Sequence, residues 1–178
     1  MARPAAKSFQ KPIDKYLKLC YNDYSKKKKE REKSMKRQIC FDMDGTIANL
    51  YAVENWLNML RAYDPTPYAQ AKPMLNMSAL ARLLHKAQRL GYEICIISWL
   101  SKAPTDEYNE MVTQAKLEWL QKHMPSVEWN AIHIVAYGTP KHEICGGVLF
   151  DDEVYNRIMW GENAYEPCEI LEFLRGLE

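Results

Sequence analysis

Apolar positions along this chain switch between two rhythms, and the switches mark out its elements. Gln38-Ile-Cys-Phe-Asp42 is a short apolar run ending in an acid, and Tyr92–Ser98, Ala131–Ala136 and Gly147–Asp151 have the same character. Short runs of this kind read as buried strands. Between them the spacing is helical. Leu80, Leu83, Leu84, Ala87 and Leu90 share one face, with Ser78 as the expected N-cap and Gly91 as the stop. A second helix is expected from about Thr105 to His123, closed by Pro125, and an amphipathic one over Leu50 to Tyr63. Thr139-Pro140 reads as a helix start, with Thr as N-cap and Pro at the first helical position. Ile170 to Leu177 closes the chain as a helix, while Asp64 to Pro73, with Pro65, Pro67 and Pro73, is expected to be loop.

Strands alternating with helices predict an α/β fold, a Rossmann-like parallel sheet with helices on both faces. Such sheets bind ligands at the carboxyl ends of their strands. Those ends carry Asp42, Ser98 and the pair Asp151-Asp152, and Lys141 opens the helix expected after the third strand.

Charge adds an appendage to this picture. The total is only +1, but residues 1–37 hold 13 of the 24 basic and 4 of the 23 acidic side chains, a net of +9, which leaves −8 on residues 38–178. The chain therefore divides into a basic arm, helical or disordered, and a folded body. Ile13, Tyr16, Leu17 and Cys20 have helical spacing, and Lys26–Lys29 is an unbroken lysine run. A solvated linker and a patch for nucleic acid or anionic membrane both fit that composition.

Mean hydropathy is −0.45. No apolar run approaches the roughly 18 residues needed to span a bilayer, and no apolar segment of a secretory signal follows the first lysines. The five cysteines form no C-x-x-C pair, and Cys40 and Cys95 lie inside strand-like runs. Buried, reduced thiols there fit a cytoplasmic protein.

The candidate chemistry lies in the acids. Asp42 and Asp44 flank Met43, so an extended chain points both carboxylates the same way. Asp151 and Asp152 form a second acidic cluster at another strand end. Two such clusters meeting in one crevice repel unless a cation neutralises them, and all-oxygen ligands suit Mg²⁺. Ser98 can donate a hydrogen bond to a phosphate oxygen, and Lys141 can supply positive charge.

Together these motifs resemble the haloacid dehalogenase-like superfamily of phosphohydrolases. Asp42-Met-Asp44-Gly-Thr46 matches its D-x-D-x-T motif, Ser98 its strand-ending Ser or Thr, Lys141 its lysine, and Phe150-Asp151-Asp152 its acidic fourth motif. The resemblance implies that Asp42 attacks phosphorus to form an aspartyl-phosphate, while Asp44 protonates the leaving alcohol and later activates water. Mg²⁺ would be held by Asp42, the Asp44 backbone carbonyl and Asp151, with Asp152 beside them or on a bound water. Ser98 and Lys141 would hold the transferring phosphoryl group, with Thr46 and Trp99 at the phosphate end. Presence of Asp44 sets the chain apart from dehalogenases and ion pumps, which lack that second acid.

About Ile47 to Met77 would form a small cap of one helix and a Pro-rich loop. Tyr51, Trp56, Tyr63 and Tyr68 lie in it, and Trp99 follows Ser98, so a nucleobase could stack there. Trp56 shares a helix face with Met59, Leu60 and Tyr63 and is expected in the core. The set D-M-D-G-T-I-A-N, the small cap and F-D-D-E also look like the 5′(3′)-deoxyribonucleotidase branch. Two features depart from it: that branch often has Val where this chain has Thr46, and its cap is usually larger.

The function expected is Mg²⁺-dependent phosphomonoester hydrolysis, acting on nucleotides or similar small phosphorylated substrates. A phosphatase of nucleic-acid ends, with the arm holding the polymer, is the first alternative. A binding module with a vestigial hydrolase body is the second. Arg157 is expected to make a surface salt bridge or reach a substrate phosphate or sugar, and Glu153 to sit at a helix start beside the site.

Overall fold

A computed structural model describes residues 37–102 and 105–178. They fall within one compact unit, Met35–Glu178. The basic arm, Arg37 apart, lies outside the described residues.

Five parallel strands form the central sheet in the order β5-β4-β1-β6-β7, comprising β1 (Gln38–Phe41), β4 (Glu93–Trp99), β5 (Ala131–Val135), β6 (Val148–Phe150) and β7 (Ala164–Tyr165). The architecture is α/β, helices flanking a parallel sheet, and is compatible with a Rossmann-like fold. From β1 the chain moves outward through β4 to β5, then returns past β1 to β6 and on to β7. Crossovers between parallel strands are right-handed, so reversing direction moves the connecting helices to the other face. The reversal occurs beside β1, where a crevice opens at the strand ends.

One face is thick. Ile39, Phe41, Ile94, Ile96 and Phe150 pack against α3 (Met77–Arg89), α4 (Asp106–His123) and α6 (Ile170–Arg175) through Leu80, Leu84, Trp119, Ile170 and Leu174, all buried. Complete burial of each such side chain contributes about 1.5–3 kcal/mol. The opposite face is thin, with Cys40, Cys95, Ile97, Cys145 and Leu149 covered in part by Ile144 and by Trp160 of α5 (Val154–Trp160). Cys40, Cys95 and Cys145 are free, buried thiols. Among the described residues no helix is long and apolar enough to cross a membrane.

Several local expectations differ from the observed chain. Leu50 to Tyr63 is not one helix but a 3₁₀ turn, Leu50–Ala52, followed by α1 (Trp56–Arg61). Asn55 breaks it by adopting the left-handed region at φ 59°, which Asn tolerates. Tyr63, at the same φ, ends α1. Its N–H reaches the Leu60 carbonyl, and that of Asp64 the Met59 carbonyl, the double closure usually made by glycine. The Pro-rich stretch contains α2 (Thr66–Gln70), because Pro67 falls in the first turn, where no intrahelical N–H bond is lost. A two-stranded antiparallel ribbon, β2 (Ala48–Asn49) with β3 (Lys72–Pro73), closes the base of this insert.

Asn76 rather than Ser78 caps α3, its Oδ1 accepting from Ala79 N at 3.0 Å. The helix expected at Thr139-Pro140 is a single 3₁₀ turn, Lys141–Glu143, with Pro140 as its N-cap. Thr139 instead donates its hydroxyl back to the Ala136 carbonyl.

Candidate active site

The carboxyl ends of β1 and β6 meet, and Asp42 N–H donates to the Phe150 carbonyl at 2.9 Å across the junction. This pairing brings the two acidic clusters into one crevice. Asp42, Asp151 and Asp152 each place a carboxylate oxygen within 4.8 Å of the others. Lys141, held by the 3₁₀ turn, lies between them, with Nζ 2.9 Å from Asp42 Oδ1 and 2.6 Å from Asp151 Oδ2. All three partners are almost fully buried.

Gly45 makes this approach possible. It sits at φ +79°, and a Cβ there would overlap the Asp152 carboxylate and lie 2.6 Å from Tyr51 Cε2. Only a glycine meets both the backbone angle and the space. Thr46 is fully buried and is not at the cleft surface. Its Oγ1 donates to Asp152 Oδ1 at 3.3 Å and accepts from Asp152 N at 3.1 Å, tying the first acidic loop to the fourth.

Asp44 has a partner that sequence reasoning missed. Lys116 of α4 is buried, and its Nζ lies 2.5 Å from Asp44 Oδ2, 2.8 Å from Ser98 Oγ and 2.7 Å from the Trp99 carbonyl. The signal was present: Lys116 shares the apolar face of α4 with Tyr108, Val112, Trp119 and Leu120. A lysine on such a stripe is either solvated by bending outward or paired inside.

Two more residues hold Asp151. Asn156 donates Nδ2 to both its carboxylate oxygens, and Arg157 donates Nη1 to the Asp151 and Asp152 carbonyls, each at 2.8 Å. Arg157 also pairs with Glu166 at 2.9 Å, so this side chain braces the loop. Glu153 is the N-cap residue of α5, beside the crevice.

Above the acids lies a cleft of about 620 Å³. Tyr51 and Trp56, edge to face at 5.1 Å, contribute one aromatic pair to its lining. Trp99 and Tyr137, with centroids 4.9 Å apart, contribute another. Trp56 is therefore half-buried at the cleft rather than part of the core, because the break at Asn55 reorients α1. The Trp99 indole N–H is engaged by the Thr139 carbonyl at 2.9 Å. Tyr68 is buried under the cleft, its ring 5.0 Å from Lys116 Nζ.

Electrostatics follow from this packing. Burial raises the Asp44 carboxyl, against the lowering effect of Lys116. Burial also works against the Lys141 ammonium, but Asp42 and Asp151 outweigh it and raise its pKa. Four carboxylates, Asp42, Asp44, Asp151 and Asp152, face two ammonium groups, Lys116 and Lys141. The surplus is two negative charges. One divalent cation with oxygen preference fits that deficit and that donor set.

Burial first, then the charge of Asp42, raises Asp151 to about 6. Burial, then Asp42 and Asp151, raises Asp152 to about 7. The folded protein thus retains protons that the unfolded chain releases near pH 4. Without a divalent cation, the contribution of these groups to stability is greatest in acid and is lost as pH rises through 6 and 7. A cation bound to the ionised carboxylates reverses that loss. Thermal melting should show Mg²⁺ raising the midpoint by several degrees at pH 8 and by much less at pH 5. Equal shifts at both pH values would contradict a cation site here.

No protein-family model matches the sequence, and no curated protein matches it. Among solved structures, a crystal structure of a structural-genomics target from Vibrio cholerae matches with 20% identity and a TM-score of 0.40, covering 78% of this chain and 95% of its own.

Proposed function

We propose that this protein is a Mg²⁺-dependent phosphomonoester hydrolase that works through an aspartyl-phosphate on Asp42. The observation that carries the reading is the convergence of Asp42, Asp44, Lys141, Asp151 and Asp152 on one crevice at adjoining strand ends. Asp42 is the nucleophile, its carboxylate oxygen forming a bond to phosphorus as the phosphorus–alkoxy bond breaks. Asp44 gives its proton to the departing alkoxide, then takes one from the water that attacks the same phosphorus. Inorganic phosphate leaves and Asp42 is restored. Lys141 balances charge spreading over the phosphoryl oxygens. Asp42, Asp151 and Asp152 would hold Mg²⁺, with the Asp44 carbonyl completing the protein's share. When bound, the cation supplies charge neutralisation at the phosphoryl oxygens.

The aromatic lining supports a nucleotide as substrate. The Tyr51–Trp56 and Trp99–Tyr137 pairs present flat, apolar surfaces above the acids, where a base can stack while its phosphate reaches Asp42. Buried thiols at Cys40, Cys95 and Cys145 suit a reducing compartment such as the cytoplasm. Phosphate release should be measured with Mg²⁺ on nucleoside monophosphates, sugar phosphates and end-phosphorylated oligonucleotides. Nucleoside monophosphates should turn over fastest, and chelation should abolish the activity. Faster release from oligonucleotides would move the substrate to nucleic-acid ends. Absence of release from all three, or indifference to chelation, would refute the reading.

A further inference from the structure

Lys116 has one ammonium group and three hydrogens, and three acceptors surround it: Asp44 Oδ2, Ser98 Oγ and the Trp99 carbonyl. Nothing remains for solvent, from which the side chain is almost wholly excluded. Its position comes from α4, 72 residues beyond Asp44 in the chain, with the Tyr68 ring from the insert packed over the ammonium. One cation thus joins the second carboxylate of the first acidic motif to Ser98, the penultimate residue of β4.

We infer that Lys116 is a positioning residue that aims the Asp44 carboxyl at the leaving-group oxygen. An ammonium only donates, so Ser98 Oγ must use a lone pair to receive it. Ser98 is fully buried and, like Thr46, is not part of the cleft lining, so its hydroxyl serves as a fixed acceptor that holds Lys116 in place beside Asp44. For Asp44, Lys116 engages Oδ2 and leaves Oδ1 as the oxygen that exchanges a proton with the substrate. The carboxyl cannot rotate without breaking the contact at Oδ2. Lys116 itself touches neither substrate nor transferring phosphoryl group.

This inference rests on the hydrolase reading above, and leaving-group chemistry separates the two. A nucleoside monophosphate expels an alkoxide that needs a proton, whereas p-nitrophenyl phosphate expels a phenolate stable without one. The parameter kcat/KM covers steps through departure of that group. Lys116→Met should lower kcat/KM for a nucleoside monophosphate by about 10²–10³, and for p-nitrophenyl phosphate by less than about tenfold. Asp44→Asn should show the same split, and adding Lys116→Met to it should cost less than about threefold more.

Lys116→Gln keeps a donor and similar bulk. It provides the same measurement where Lys116→Met melts below the assay temperature, and should show a smaller split in the same direction. Parallel loss on both substrates, or an additive double variant, overturns the positioning role and leaves a purely structural one. If the wild type hydrolyses both substrates, Asp42→Asn hydrolyses neither, and the split is absent, the hydrolase reading stands and this inference alone falls. If the wild type hydrolyses neither, both fall.

Discussion

Asp42→Asn is expected to lower phosphate release by about 10⁴-fold or more while leaving the fold intact. Asparagine has the shape of aspartate but neither its charge nor a nucleophilic oxygen. Asp42 is 5% exposed and faces Lys141, Asp151 and Asp152, so removing its charge also relieves repulsion in the cluster. Without divalent cation at pH 8 the variant should therefore melt no lower than the wild type, even though it is inactive. Loss of turnover with retained stability separates chemistry from folding. A second measurement identifies the bond. Acid quenching during turnover of a phosphorus-labelled substrate should leave label on the wild-type chain, removable by base as expected for an acyl phosphate, and none on Asp42→Asn. Turnover of the variant within tenfold of wild type, or equal labelling of the two, excludes Asp42 as nucleophile.

The acids were legible in the sequence for a local reason. Asp42 and Asp151 each follow directly on a short apolar strand, β1 and β6, so the pattern that locates the strand also locates the residue at its end. Lys141 was legible as a residue type but not by its surroundings. The helix expected there is one 3₁₀ turn, and it is the ion pairs to Asp42 and Asp151 that place the side chain. Lys116 was hidden because a charged residue in an amphipathic helix ordinarily reads as solvent-facing. What buries it is contact with segments far away in the chain, Asp44 and Tyr68, which no window of α4 contains.

The insert was misjudged for a different reason. Its geometry depends on two non-glycine residues with positive φ, Asn55 and Tyr63, and helical periodicity is blind to such breaks. That error changed the place of Trp56, from expected core to cleft lining. The insert is closed at its base by the β2–β3 ribbon, which pairs Ala48 with Pro73.

Lys141→Met should be the most damaging single substitution to the metal-free fold. The change keeps most of the buried volume and removes the cation between Asp42 and Asp151, 2.9 Å and 2.6 Å away. Removing one partner of a buried ion pair costs about 3–5 kcal/mol, because the remaining charge is neither solvated nor matched. Here two carboxylates lose their common partner, with Asp152 adding its own charge nearby. Three consequences distinguish this cause from poor packing of methionine. Denaturant unfolding should show the loss at pH 8 and a smaller one at pH 5, below the raised pKa values of Asp151 and Asp152, where those two carboxyls are protonated. Mg²⁺ should recover more stability in the variant than in the wild type, since it becomes the main counter-charge. Adding Asp151→Asn should make the double variant more stable than Lys141→Met alone, because it removes one of the charges left unmatched. Turnover should remain depressed by about 10³-fold even in saturating Mg²⁺, since the charge over the phosphoryl oxygens is not replaced. If the double variant is less stable than Lys141→Met by the full cost of Asp151→Asn alone, the lysine and the aspartate act independently. The charge balance drawn for the crevice would then be wrong.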